Sequence, residues 1–307
     1  MTAPDAADQP SLERPRGRAR PRWRQTLALL ITNRLAAGGL LVLIVLVLVA
    51  LFGPMLAPFG VNEQNLADRL SPPDRTYWFG TDALGRDVFS RVVYGARVSL
   101  QVGAVAVGLS LVAGTIIGLL AGYRGGWVDA VLMRLMDVIF SFPVILLAIA
   151  IVAVRGPSLT NVMLAIAVVF TPILARVVRG SVLTVREEVH IRAVRSLGAT
   201  DLRIVLRHIL PNVAAPIIVQ TSLSLAFAIL TEAALSYLGI GIQPPRAAWG
   251  ADLQASQDFL AAGAWWMAVF PGLSILVTVM AFNLLGDGLR DVLDPKQRSV
   301  IESRGVA

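Results

Sequence analysis

The residues able to do chemistry are few, and most sit in one stretch, Arg186–Pro211, which reads REEVHIRAVRSLGATDLRIVLRHILP. It holds both histidines, His190 and His208, but no matching ligands or base partners for a metal site or a catalytic triad. Cysteine is absent, which removes disulfides, thiolate zinc sites and a cysteine nucleophile. Lys296 is the only lysine; it follows Pro295, and no glycine-rich loop precedes it to cradle a nucleotide phosphate. The chain is therefore expected not to be an enzyme, to hold no catalytic residues and to bind no metal or cofactor itself.

What the stretch offers instead is mechanical. Val185, Val189, Ala193 and Leu197 recur every four residues and predict an apolar stripe on a helix over Arg186–Leu197. Glu188 and Arg192 stand at the i,i+4 spacing of a surface ion pair. Gly198 can take a positive φ and end that helix, and Thr200 can cap a second one. The second helix carries Arg203 and Arg207 on one face and Leu202, Leu206 and Leu210 on another. Pro211 is expected to mark the turn into the next apolar run. A charged segment with a sharp corner exposes a helix end, which suits insertion into a groove on a soluble protein. A helix lying flat on the membrane is the alternative; it has no use for a corner at Gly198.

The elements that position this corner are apolar. The chain has 307 residues, 56% of them hydrophobic and only 15% charged. Six nearly uncharged runs, about Leu35–Leu56, Ser99–Ala121, Leu132–Val154, Leu159–Val178, Val213–Tyr237 and Ala264–Leu285, are each long enough to cross a bilayer, which takes about 20 residues. The expected fold is all-α, a polytopic membrane protein with six transmembrane helices. The expected organisation is a disordered basic tail at 1–25, a membrane domain at 26–298 with the charged loop at about 186–211, and a short tail at 299–307. The run RPRGRARPRWR before the first span either touches anionic lipid or only sets orientation.

The net charge of +7 comes from arginines clustered beside apolar spans, not from a continuous basic groove, so nucleic acid is not an expected partner. Arginine placement puts both termini and the 186–211 loop in the cytoplasm. The Pro58–Arg97 loop is then external, as is the Gly239–Gly263 loop, where Arg246 is balanced by Asp252 and Asp258.

Inside the spans, Gly114, Gly118 and Gly122 lie on one helix face and let another backbone approach, for tight packing or for a contact that moves. Pro143, Pro172, Pro216 and Pro271 are candidate kinks. Asp137, Pro143 and Glu232 are candidates for a translocation path or gate, because acids within spans face a bundle interior or water. The bland alternatives are a pairing of Asp137 with Arg134, and an interfacial position for Glu232.

Four segments carry a resemblance: FGTDALGRDVFSRVVYGARVSL (Phe79–Leu100), the Ala193–Pro211 loop, EAALSYLGIGIQPPRAAWG (Glu232–Gly250) and NLLGDGLRDVLDPK (Asn283–Lys296). The chain resembles the inner-membrane permease subunits of binding-protein-dependent ABC importers, and most of all the C-type permease of dipeptide and oligopeptide importers, from about Leu35 to Arg298. The family's loop signature opens Glu-Ala-Ala; here Arg192 replaces the Glu and Val194 the second Ala, while Gly198 and Leu210-Pro211 remain. The departure bears on any salt bridge that Glu would make to an ATPase.

The resemblance implies the type I ABC importer permease architecture. It implies a loop that couples to an ATPase through Glu188, Arg192, Ala193, Arg195, Gly198, Ala199, Asp201, Leu210 and Pro211. It implies a second permease, two cytoplasmic ATPase subunits that bind the ATP and Mg, an extracytoplasmic substrate-binding protein, and a bacterial inner-membrane location. Di- or oligopeptides are the implied cargo, with a nickel chelate or glutathione as alternatives. A membrane scaffold signalling through the same loop, without a pore, is the rival from another class. An intramembrane enzyme is disfavoured: there is no Cys or His cluster, and Asp137 has no second aspartate at a suitable depth.

Overall fold

The computed structural model describes residues 30 and 32–293, and among these the only non-helical pairing is an isolated bridge between Thr81 and Asp87. The tails expected at 1–25 and 299–307, and Lys296, lie outside the described residues. The helices are α1 (Arg34–Leu56), α2 (Val88–Arg124), α3 (Gly126–Phe140), α4 (Val144–Arg155), α5 (Leu159–Val185), α6 (Val189–Ser196), α7 (Asp201–Ile204), α8 (Leu210–Tyr237), α9 (Trp249–Leu260) and α10 (Trp266–Leu293).

Polar caps fix where the long helices start. The Asn33 side chain accepts from the Leu35 and Ala36 amides, Asp87 from Ser90, and Ser158 from Asn161. Each satisfies N–H groups that the first helical turn leaves without a partner. Asp87 starts α2 well before the expected Ser99, so the helix protrudes from the membrane. The helices α5 and α10 likewise run past their expected ends, to Val185 and Leu293.

The third span is not the single helix the apolar run suggested. It is two helices, α3 and α4, bent by 88° at the break between Phe140 and Val144. Pro143 stands at the break as the residue before α4, with φ −54° and ψ 131°. Its ring cannot continue the helix without displacing a preceding carbonyl.

Five single helices and this bent pair are long and apolar enough to cross a membrane. The packing of α2 on α5 decides what the pair does. A Cβ on Gly114 would meet Leu174 and Ala175, one on Gly118 would meet Ala175 and Val178, and one on Gly122 would meet Val182. Contact positions rise together along both helices, so α2 and α5 run parallel. The chain between them must return across the bilayer, and α3–α4 is the only segment available. The chain therefore crosses six times, and Val185, Arg124 and the loop that follows α5 share one face. Asn33 Nδ2 donates to Asp291 at 3.5 Å, and Arg290 and Leu293 line a cavity with Asn212 and Pro216. Both ends of the described chain thus lie at that same face.

The opposite face is held by tryptophans and a buried ion pair. Trp249 Nε1 donates to the Val92 carbonyl at 2.9 Å and Trp266 Nε1 to the Thr81 carbonyl at 3.0 Å. The stretch Gly239–Gly263, expected as a loop, contains α9. Asp252 on α9 pairs with Arg91, whose Nε donates to it at 2.8 Å. Burial pushes the Asp252 carboxyl above its ordinary range, while the Arg91 charge pulls it back.

The glycine seam makes a sharp prediction. On Gly118, a Cβ would lie 2.6 Å from the Ala175 carbonyl oxygen and 2.6 Å from the Val178 Cβ. Gly118→Val should cost about 1–3 kcal/mol by overpacking and lower the melting temperature in detergent. Gly108→Ala on the same helix meets nothing within 4 Å and should melt at or above wild type, since Ala is the better helix former by about 1 kcal/mol. Equal melting of the two variants would contradict the parallel seam.

Candidate functional site

The segment between α5 and α8 forms an elbow that is anchored on one side and bare on the other. Ile191, Ile204 and Ile209 are fully buried, in a cluster with Val178, Val182, Val185 and Val213, and Val194, Ala199 and Leu210 pack against it. Burying an isoleucine is worth about 1.5–3 kcal/mol, so the elbow is held as a rigid extension of the bundle.

The anchoring face is not the apolar stripe. Helix α6 spans Val189–Ser196 rather than Arg186–Leu197, and it turns Ile191 and Val194 inward. Of the expected stripe, only Val185 is buried; Val189 is 75% exposed and Leu197 87%, and Ala193 is exposed too. Past the Gly198 corner, Leu202 and Leu206 are bare too, and together these exposed apolar residues are the elbow's crest. An exposed apolar surface rimmed by arginines is one that a protein partner or a membrane surface covers.

Polar contacts fasten the elbow to the neighbouring helix ends. Arg186 Nη1 donates to the Gly122 carbonyl at 2.6 Å, and the Tyr123 hydroxyl donates to Asp201 at 2.6 Å. Arg195 Nη2 reaches the Tyr123 hydroxyl at 3.5 Å, with its guanidinium 5.7 Å from the ring centre. Arg195 and Asp201 therefore serve the elbow's own position. Glu188 precedes α6 and pairs with His190 at 3.0 Å; among the described residues it makes no ion pair with Arg192, whose guanidinium is free. Starting the helix at Val189 puts Glu188 at its extended cap, where its side chain no longer projects toward the next turn.

Gly198 has φ +80°, the left-handed corner expected of it. Thr200 precedes α7 in extended backbone, but its side chain makes no capping bond. Pro211 does not mark a turn. Helix α7 passes through a π turn, Val205–Ile209, straight into α8, with Pro211 in the first turn of α8. The wider π turn accommodates the hydrogen bond that the proline ring removes, so elbow and span form one lever.

Beside the elbow a groove runs along α8. Near the elbow, Val177, Asn212, Pro216, Val219 and Gln220 line a space of about 570 Å³. Gln220 also lines the next space, of about 410 Å³, together with Phe140, Ile173, Phe227 and Leu230. Asp137 stands one turn before Phe140 and pairs with Arg176 of α5 at 2.7 Å, not with Arg134. An i,i+3 pairing on α3 loses to a guanidinium presented by the adjacent helix. Pro143 marks the bend that tilts this wall. Glu232, by contrast, is fully buried near the end of α8, accepting from Ser99 at 3.0 Å and Ser236 at 2.8 Å. It joins α8 to α2 and lies outside the groove lining.

Sequence reasoning missed Arg176, Tyr123 and Gln220. Arg176 lies 39 residues from its partner, and no local spacing announces such a pair. Among the described residues there is no cluster of three metal-binding side chains.

The model of a family described as binding-protein-dependent transport system inner membrane component matches residues 114–299, and that of the N-terminal transmembrane domain of oligopeptide transport permease C matches residues 22–73. The chain is 49% identical over 277 residues to a dipeptide transport system permease protein of Alkalihalophilus pseudofirmus, covering 90% of this chain and 91% of that one. It is 44% identical over 279 residues to a glutathione transport system permease protein of Pectobacterium atrosepticum, covering 90% and 92%. It is 45% identical over 273 residues to a di/tripeptide transport system permease protein of Pseudomonas aeruginosa, covering 87% and 90%.

Tyr123→Phe should loosen the elbow without disturbing the bundle. Losing the exposed hydrogen bond to Asp201, of about 1 kcal/mol, and the longer one from Arg195 should raise amide exchange across Val194–Ile204 at least about fivefold while α2 and α5 exchange as before. Unchanged exchange would mean that the isoleucine cluster alone fixes the elbow.

Proposed function

This chain belongs to the family of binding-protein-dependent transport system inner membrane components, multi-pass transport permeases that work within ABC import complexes, and we propose that it imports di- or oligopeptides. The relatives named for dipeptides and di/tripeptides support that cargo. The glutathione relative is compatible with it, since glutathione is a tripeptide.

In this reading the elbow seats in a cleft of a cytoplasmic ATPase subunit. ATP and Mg are bound and hydrolysed there and not in this chain. When two ATPases close, their clefts carry the elbows of this chain and of a second permease toward each other. The rigid run from α7 into α8 passes that displacement to the groove wall, tilting access from the inner to the outer face. The groove along α8 faces the second permease and forms this chain's half of the path. An extracytoplasmic binding protein delivers the peptide to the face carrying α9. Both termini and the elbow are then cytoplasmic, in accord with their arginines.

The single observation that carries the coupling proposal is the bare apolar crest of Val189, Leu197, Leu202 and Leu206 on a rigidly anchored elbow. Leu197→Asp and Leu202→Asp remove no internal contact, so each should change stability by less than about 0.5 kcal/mol. Each should nevertheless abolish co-purification of the ATPase subunits and reduce peptide uptake by more than tenfold. Normal uptake by both variants would rule out the crest as the docking surface.

A further inference from the structure

We propose that Asp137 and Arg176 form an exchangeable gate at the inner end of the groove, where a zwitterionic peptide is held by its two charged ends. The cargo's carboxylate replaces Asp137 on Arg176, and its ammonium replaces Arg176 on Asp137. This rests on the permease reading above and adds to it which groups meet the cargo and by what chemistry.

Three observations converge. The first is exposure at depth. The Asp137 and Arg176 side chains are 53% and 38% exposed. Arg176 lies 17 positions after Leu159, the outer start of α5, which is about 26 Å along a helix. A hydrocarbon layer of about 30 Å still includes that level. A half-bare ion pair there faces water or protein and not acyl chains. The other ion pairs of the helical bundle do not share this character: Arg91 and Asp252 are nearly enclosed, and Arg179 and Asp129 form a two-pronged pair at the elbow end of α3.

The second is surroundings. The Arg176 guanidinium sits 4.1 Å from the centre of the Phe140 ring, and Phe140 and Ile173 line the groove just above it. The rest of that lining is mostly apolar, with Val144, Ile145, Phe170, Phe227 and Leu230, and its polar members are Gln220, Ser224 and Thr231. Gln220 is already bonded to Ser224 at 3.4 Å, and the Thr231 hydroxyl donates to the Phe227 carbonyl. Such a groove accommodates apolar side chains of many shapes but cannot stabilise two full charges. The ion pair can; it is not part of the lining itself but borders this space through Phe140, against whose ring the Arg176 guanidinium packs.

The third is spacing. Asp137 and Arg176 touch at 2.7 Å, whereas an extended dipeptide separates its ends by about 7 Å. Both ends can be held only if the two side chains part. Because one side chain rises from α3 and the other from α5, parting them widens the inner end of the groove. Cargo recognition and opening then become one event.

The test uses the whole importer, with its second permease, ATPases and binding protein, in proteoliposomes supplied with radiolabelled dialanine. Asp137→Asn with Arg176→Gln keeps a hydrogen-bonded pair between α3 and α5 but removes both charges. Uptake per ATP hydrolysed should fall at least tenfold, while assembly, melting temperature and binding-protein-stimulated ATPase activity stay at wild-type levels. Retained uptake would overturn the proposal. So would a fall in uptake that tracks lost assembly or lost ATPase stimulation, which would make the pair only a structural tie. A wild-type complex that takes up no peptide would instead overturn the transport reading itself.

Discussion

The parallel contact between α2 and α5 is the constraint on which the rest of the molecule depends. Two helices that run the same way and are close in sequence need a return crossing between them. Lipid allows that return only as helix, because unpaired backbone groups are too costly in hydrocarbon. The bent pair α3–α4 is the solution, and its break at Pro143 makes a bent span rather than a third straight rod. Close approach at Gly114, Gly118 and Gly122 sets the register. It also brings the Gly122 carbonyl and Tyr123 to where the elbow needs them. One seam thus fixes the crossing number, the groove and the seat of the elbow.

The elbow then separates two tasks that one amphipathic helix could not perform together. Isoleucines at 191, 204 and 209 face inward and make it rigid; leucines at 197, 202 and 206 face outward and make it adhesive. Rigidity matters because a flexible loop would absorb an imposed displacement. The π turn before Pro211 has the same effect: it lets the chain pass into α8 without a joint. In the proposed mechanism, force applied at the crest is delivered to a helix that lines the groove.

Much of this was legible in the sequence, and what was not has a physical reason. Apolar run lengths located six crossings, and the glycine at 198 announced a corner that the structure places at φ +80°. Which face anchors the elbow was not legible, because the stripe Val185, Val189, Ala193, Leu197 has the period of a buried face, and periodicity does not distinguish a face buried in its own chain from one left for another. The neighbouring residues Ile191 and Val194 have the same hydrophobic character and won the interior. Proline at 211 suggested a turn, but an added residue per turn upstream lets a helix run through it. Glu232 looked interfacial by its distance from a span end; α9 and its flanking turns fold back over that end and bury it. The Asp137–Arg176 pair joins helices far apart in the chain, and only packing could disclose it.

The proposed cover of the elbow's apolar crest is a nucleotide-hydrolysing partner. The chain contains no cysteine, so single cysteines can be placed without background at Leu197 on the crest and at the outward-facing Leu109 of α2. Bifunctional crosslinking in inside-out membrane vesicles from the native organism should join the Leu197→Cys chain to an ATPase subunit, with a yield that changes when ATP is added. Leu109→Cys should give no such product. An empty result at Leu197, or equal products at both positions, would contradict the account.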